Sequence, residues 1–354
     1  MIEYYHPGFY DTAGRHNNHK RFEDYFKDSY LTGYLVSKAF EKDYSGWCKK
    51  DLKGGRDYYD SHGLKLFGDS GAFSFVDEDV PPVSVNDVID FYNSIGVDRG
   101  ASLDHVVPDY DSGYDYFFGG LSAPQKYLER MEITIENGSK FLEECKKQDV
   151  RFQPVGAVQG WSPNSYIECI QAFQKMGYKK IAIGGVAHLP KPSVIELLKR
   201  VKEIIGDTEI HLFGLTQPKI LRAVKMSNIT SVDGMGPFIS SVVSAVYFAP
   251  DEKRYMCIPL EDVNKSDEYE KIMASGDFLK VEEIYDPETN FSKDRMVKTL
   301  KSRVWETCDC AICEEFGSKI VLHHKEYNRA RGLHNMYTVG KQLRETYQEI
   351  ISNG

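Results

Sequence analysis

Short apolar runs recur along the first two-thirds of the chain, each followed by a polar or glycine-bearing turn and then by helical spacing. Residues 64–67 lead into Gly68-Asp69, 101–103 into Asp104, and 152–158 into Gln159-Gly160. Further on, 181–183 lead into Gly184-Gly185, 210–213 into Gly214, and 229–232 into Asp233-Gly234. The stretches 85–95, 122–148, 162–176 and 190–205 between them carry helix patterns. Ser84 serves as an N-cap for the first, and Ser-Pro and Pro-Lys-Pro-Ser open the last two. The apolar runs do not alternate with polar residues, as expected of strands covered by helices on both faces. Strand and helix in alternation predict a parallel sheet. Six such units, with residues 31–40 as a seventh, suit an α/β fold of the (β/α)8 TIM barrel type better than a five-stranded open sheet. Each notable polar residue follows a strand directly, at the end where barrel enzymes place their chemistry.

Composition bounds this picture without changing it. The 354 residues, 41% of them hydrophobic, can bury a sizeable core as one large domain or two ordinary ones. No run of 18 apolar residues is present, so no membrane span is expected. The opening MIEYYHPGFY has neither the basic nor the apolar region of a secretory signal, which makes the cytoplasm the expected compartment. A net charge of −9 argues against a protein that coats nucleic acid nonspecifically. It leaves room for one local basic face, for which Lys179, Lys180, Lys191, Lys199, Arg200, Lys202, Lys219, Arg222 and Lys225 are candidates. Solvated helix surfaces account for the same residues equally well.

From about residue 249 the texture becomes charged and irregular, up to a cysteine cluster and a final helix predicted over 334–352. Of seven cysteines, Cys48, Cys145, Cys169 and Cys257 are scattered and read as reduced thiols. Cys308, Cys310 and Cys313 form a C-x-C-x-x-C pattern, with His323, His324 and His334 downstream. Three thiolates and one imidazole meet the tetrahedral Cys3His requirement of structural Zn2+. Four protein ligands leave no open position for chemistry. No fourth cysteine is near enough for an iron–sulfur cluster, and spacing alone does not choose among the histidines. The expected division is a catalytic barrel over residues 1–250 and a C-terminal zinc-binding subdomain over 251–354.

The stretch Gly68-Asp69-Ser70-Gly71 admits three readings: a turn, a serine nucleophile, or a strand-end carboxylate. GDSG surrounds the reactive serine of trypsin-like proteases, but those use an antiparallel barrel in a disulfide-bearing context and continue differently. The G-x-S-x-G elbow of hydrolases is not completed either. The turn and the strand-end carboxylate, Asp69, both remain open on these residues alone.

Taken in order, the motifs resemble the tRNA-guanine transglycosylase family from about residue 64 to 343. Asp69-Ser70-Gly71-Ala72-Phe73 resembles its DSGG-aromatic stretch, and Leu103-Asp104 its second aspartate. Val158-Gln159-Gly160 is similar to its VQG, Ile183-Gly184-Gly185-Val186-Ala187 to its IGGLA, and Leu212-Phe213-Gly214 to the strand before its glycine turn. Val232-Asp233 resembles the end of its nucleophile strand, and the cysteine cluster with His334-Asn335 its zinc signature. The tRNA-modifying bacterial members follow the nucleophile with Pro-Thr-Arg, whereas Gly234-Met235-Gly236-Pro237-Phe238-Ile239-Ser240-Ser241 has no arginine. His188 stands where they carry a small residue. These departures resemble the DNA-modifying branch, the DpdA proteins of phages and bacterial modification clusters.

The resemblance implies a barrel enzyme that exchanges guanine in DNA for a free 7-deazaguanine base, such as 7-cyano-7-deazaguanine. It implies Asp233 as nucleophile, forming a covalent sugar–enzyme intermediate, and Asp69 as general acid and base. Asp104 would read the guanine-like edge, Gln159 the base oxygen, and Gly184, Gly185 and Val186 would bring the backbone close to the base. Phe73 and Phe213 would stack on the base. His188 would touch the 7-substituent or a phosphate, and His105 is a weaker candidate of the same kind. Cys308, Cys310, Cys313 and His334 would hold Zn2+. A phage-encoded member would act in the host cytoplasm, and a homodimer is a candidate assembly. Two alternatives accompany this reading: exchange in tRNA, and a non-catalytic zinc-containing nucleic-acid-binding barrel.

Overall fold

A computed structural model describes residues 1–7, 22–26, 30–40, 56–116, 123–243, 245–248, 253–260, 265–285 and 291–353. Cys48 lies outside them. The chain divides into two compact units. One comprises Met1–Asn17, Leu31–Gly234 and Thr346–Gly354, the other Asn18–Tyr30 and Met235–Glu345.

The first unit is a closed parallel barrel of eight strands. These are β1 (Glu3–Pro7), β2 (Gly33–Ser37), β3 (Lys65–Asp69), β4 (Arg99–Ala101), β5 (Gln153–Val158), β6 (Lys180–Ile183), β7 (Glu209–Leu212) and β8 (Ile229–Asp233). The expected runs account for β2 to β8. β1 was not anticipated, because Glu-Tyr-Tyr-His-Pro carries no aliphatic run; its two tyrosines are nevertheless fully buried. β1 closes the ring by pairing with β8, Tyr5 opposite Asp233. Among the covering helices, Val85–Ile95 starts at Ser84 with a complete capping box through Asp87. Pro163–Met176 starts at Ser162 in the same way, with Ser165 as its partner.

Strand side chains alternate between helix layer and lumen, so one parity of each strand fills the barrel in layers. The floor is charged. Lys65 bonds Glu3 at 2.9 Å, Arg99 pairs with Glu3 and reaches the Tyr5 hydroxyl at 2.6 Å, and Lys180 bonds Glu209 at 3.1 Å. Above it, Tyr5, Leu35, Phe67, Ala101, Val155, Ala157 and Ala182 form a buried apolar layer against which Phe213 packs. Two residues beyond Leu35 and Phe67 come Ser37 and Asp69, side by side, while Asp233 ends β8 opposite Tyr5.

β8 enters this pattern through an irregularity. Ile210 pairs with Ile229, yet the next residue, His211, pairs with Ser231 rather than Thr230. Thr230 is the extra residue of a β-bulge, and its hydroxyl accepts from the buried Lys180 ammonium at 2.6 Å. A one-residue slip reverses every later side chain of a strand. The bulge thus turns Ser231 and Asp233 into the lumen.

In the second unit, Ala245–Phe248 pairs antiparallel with Lys253–Met256, and Ile258–Pro259 runs parallel to Leu322–His323. The final helix is longer than predicted, Lys325–Ser352, so His334 sits within it rather than at its start. Arg331 on this helix is fully buried and donates to the carbonyls of Ser241 (2.7 Å) and Leu322, which fixes that segment of helix in its unit. No helix among the described residues is long and apolar enough to cross a membrane.

Candidate active site and metal centre

Asp69 ends β3 on the face that carries Phe67 into the lumen. Gly71 follows at φ 82°, a left-handed conformation that favours glycine, and its N–H donates to Asp69 Oδ2 at 3.1 Å. Burial raises the Asp69 carboxyl to about 7. The nearby Asp104 and Asp233 push in the same direction, against hydrogen bonds from Ser37 and Gly71.

Asp104 lies beyond the end of β4, buried, with both oxygens engaged. Ser70 Oγ donates to Oδ1 at 2.9 Å, and Gln159 Nε2 donates to Oδ2 at 2.7 Å. Burial raises its pKa too, opposed by these two bonds. Each oxygen retains a second lone pair for a ligand. The other end of the Gln159 amide, Oε1, is buried and has no partner among the described residues. A Cβ on Gly184 would lie 2.2 Å from Gln159 Nε2, so no side chain fits there while the amide holds Asp104. The Gly184 N–H donates to the Val158 carbonyl at 3.1 Å. Gly184 therefore contributes space to the pocket, since its N–H is already engaged. Val186 is fully buried behind it.

Asp233 ends β8 and is buried. The Gly214 N–H donates to its Oδ1 at 2.8 Å, and His211 Nε2 approaches the same oxygen at 3.2 Å. On the other side of the ring, His211 Nδ1 lies 2.9 Å from Ser231 Oγ. Among the described residues no hydrogen bond ends on Asp233 Oδ2.

Phe213 is half-buried and edge-on to Phe67 and His211, rooted in the lumen. Phe73 is 66% exposed, and its ring centroid is 5.8 Å from that of the exposed His188. These two form an outer aromatic pair. His105 is placed otherwise: its N–H donates to Thr134 Oγ1 at 2.9 Å and its ring bonds the Asp79 carbonyl at 3.1 Å, so it ties loops together. Several of the basic residues also have local partners. Lys180 is in the barrel floor, Lys202 donates to the Lys225 carbonyl at 2.6 Å, and Arg222 bonds Glu349 at 3.3 Å.

In the second unit, the ligand atoms of Cys308, Cys310, Cys313 and His334 all lie within 4.8 Å of one another. The final helix thus selects His334 over His323, which is part of a short strand, and over His324. A tetrahedral zinc–sulfur site needs sulfurs about 3.8 Å apart, which this cluster can meet. His334 Nε2 donates to the Tyr247 carbonyl at 2.6 Å, which leaves the Nδ1 lone pair directed at the thiols. The donor set fits a metal ion.

No protein-family profile matches the chain. A DNA-guanine transglycosylase of Salmonella montevideo is 28% identical over 388 aligned positions, covering 95% of this chain and 92% of the relative. A tRNA-guanine(15) transglycosylase of Nanoarchaeum equitans (strain Kin4-M) is 28% identical over 162 positions, covering 43% of this chain and 35% of the relative. The chain is thus similar to guanine transglycosylases, over nearly its whole length in the first case. Within this barrel the sequence pattern did not single out His211, Ser231 or the hydroxyl of Ser70. A lone histidine in Glu-Ile-His-Leu reads as core. Strand parity was the available signal, since His211 and Phe213 share a face, as do Ser231 and Asp233.

Proposed function

We propose that this transglycosylase acts on DNA, exchanging guanine for a free 7-deazaguanine base such as 7-cyano-7-deazaguanine. The observation that carries DNA over tRNA is the extent of the two similarities, 95% of the chain for the DNA enzyme against 43% for the tRNA enzyme. The segment after Asp233, which lacks an arginine, supports the same reading.

In this reading Asp233 Oδ2, the oxygen without a bond, attacks C1′ of a nucleotide flipped out of the stack. The C1′–N9 bond breaks, its electron pair passes to guanine, and the neutral Asp69 carboxyl supplies the proton. The incoming deazapurine then gives its N9 proton to ionised Asp69 and attacks C1′, and the C1′–O pair returns to Asp233. Two inversions retain the stereochemistry. An acid with a pKa of about 7 serves both half-reactions near neutral pH. Asp104, held open by Ser70 and Gln159, accepts from the ring N–H and exocyclic amine of the guanine edge. Phe73 and Phe213 supply stacking faces. Zn2+ held by Cys308, Cys310, Cys313 and His334 would be structural, with no ligand position open to substrate.

The test is uptake of labelled guanine into plasmid DNA or tRNA. DNA labelled by the wild type and not by D233A is the expected result. Label in tRNA alone would replace the DNA assignment, and label in neither polymer would favour a non-catalytic binding role.

A further inference from the structure

Ser231, His211 and Asp233 have the membership of a hydrolase triad, but with the polarity reversed. In a hydrolase the serine meets the substrate and the aspartate lies behind. Here Asp233 stands at the strand end, whereas Ser231 and His211 are fully buried two residues deeper. We infer that His211 is a positioning residue for Asp233: a neutral imidazole, locked in one tautomer by Ser231, that clamps Oδ1 and leaves Oδ2 aimed at the sugar. This rests on the reading of Asp233 as nucleophile.

The tautomer follows from donor and acceptor chemistry. An ionised carboxylate only accepts, so the proton on the ring must sit on Nε2, facing Asp233 Oδ1 at 3.2 Å. Nδ1 is then an acceptor, and the Ser231 hydroxyl donates to it at 2.9 Å. The opposite tautomer would present two lone pairs to each other across the Asp233 contact. Burial also holds the ring's pKa below the ordinary histidine range.

The ring cannot swing away. It stacks on Phe67 with centroids 4.5 Å apart and planes at 28°, and Phe213 abuts it at 4.8 Å and 78°. Tyr5 closes a third side at 6.2 Å. With the Gly214 N–H on the same oxygen, Asp233 is held at two points on Oδ1. The bulge at Thr230 is what brings Ser231 opposite His211 and Asp233 into the same lumen. When the aspartyl–sugar ester breaks, negative charge returns to a carboxylate already facing two fixed donors. Such preorganised donors act where charge develops.

The experiment compares H211F, H211Q and S231A by steady-state base exchange into DNA, with melting curves as the folding control. A hydrogen bond to a charged group is worth about a 10- to 100-fold change in rate. H211F should lose that factor in kcat with KM for DNA unchanged. In H211Q the side-chain amide can occupy the place of Nε2, and kcat should recover to within about 5-fold of wild type. S231A should slow the enzyme with His211 in place and have no effect in the H211Q background, the coupling expected of a relay. Should H211F not fold, H211N, whose amide is too short to reach Asp233, takes its place. Full kcat in H211F or H211N, no rescue by H211Q, or an equal effect of S231A in both backgrounds would each overturn the assignment. Exchange that survives D233A would instead overturn the nucleophile itself.

Discussion

Replacing Asp69 by asparagine should stabilise the protein, and by an amount that depends on pH. In the folded protein the Asp69 carboxyl is pushed up to about 7, well above the usual carboxylate range. Burial is the main cause, with Asp104 and Asp233 adding to it. A raised carboxylate works against folding once the unfolded chain can ionise. Below about pH 4 both states hold the proton and nothing is lost. Between about pH 4 and 7 the unfolded state releases its proton while the folded state keeps it, so wild-type stability falls as pH rises. Above 7 the loss is complete and constant. A rise of that size corresponds to at most about 4 kcal/mol, and the partial exposure of the side chain lowers the expectation to about 2–4 kcal/mol at pH 8. D69N carries no such proton. Urea melts of both proteins at pH 4, 5, 6, 7 and 8 should show a stability gap that opens from near zero and levels off above 7. Other titrating groups are common to both chains and largely cancel in the difference. Exchange by D69N should fall by about 100-fold or more, the usual contribution of a general acid–base. Parallel stability curves from pH 4 to 8 would refute the raised pKa, and with it the reason given for assigning one carboxyl to both half-reactions of the proposed exchange.

Three further outcomes follow from the pocket and the metal cluster. G184A places a Cβ 2.2 Å from Gln159 Nε2, so it should displace the amide from Asp104 and raise KM for the free base about tenfold at nearly unchanged melting temperature. F73A removes an exposed stacking face, and fluorescence titration with base or single-stranded DNA should show binding weakened about 5- to 100-fold. C310S, or treatment of the wild type with a strong chelator, should release about one zinc per chain by elemental analysis and lower the melting temperature.

What could be read from the sequence, and what could not, divides along a physical line. β2 to β8 were visible because strands covered on both faces must be apolar throughout, and the polar residue ending each run stands out. β1 carries its buried bulk as tyrosine beside histidine and proline, so it lacked that contrast. Asp69, Asp104, Gln159 and Asp233 were visible as strand-end residues. Their partners were not: Ser70 looked like part of a turn, and His211 like core. Nor could local pattern reveal the bulge. Ile-Thr-Ser-Val-Asp reads the same whichever residue is extra, and only pairing with β7 fixes the phase. Cysteine spacing announced a cluster that could hold a metal ion, while the choice of histidine waited on the course of the final helix.

The layering of the lumen explains why a histidine against an aspartate stays neutral. Asp233 pulls the His211 proton affinity upward, through both its hydrogen bond and its charge. Burial opposes this most strongly, and Lys180 and Arg99 in the floor add to it. Lys65, Arg99 and Lys180 outnumber Glu3 and Glu209 there, so the floor keeps an excess positive charge beneath the imidazole. A second proton on His211 would have to enter a dry site above those cations. It would also sit on Nδ1, where the Ser231 hydroxyl already donates. Were the ring charged, it would form a tight ion pair with Asp233 and draw off the charge that, on the proposed reading, the carboxylate needs to attack a sugar. A neutral donor orients the proposed nucleophile while leaving that charge on it, and the cationic floor favours the neutral form. The buried charges at the bottom of the barrel thus bear on the chemistry at its mouth as well as on stability.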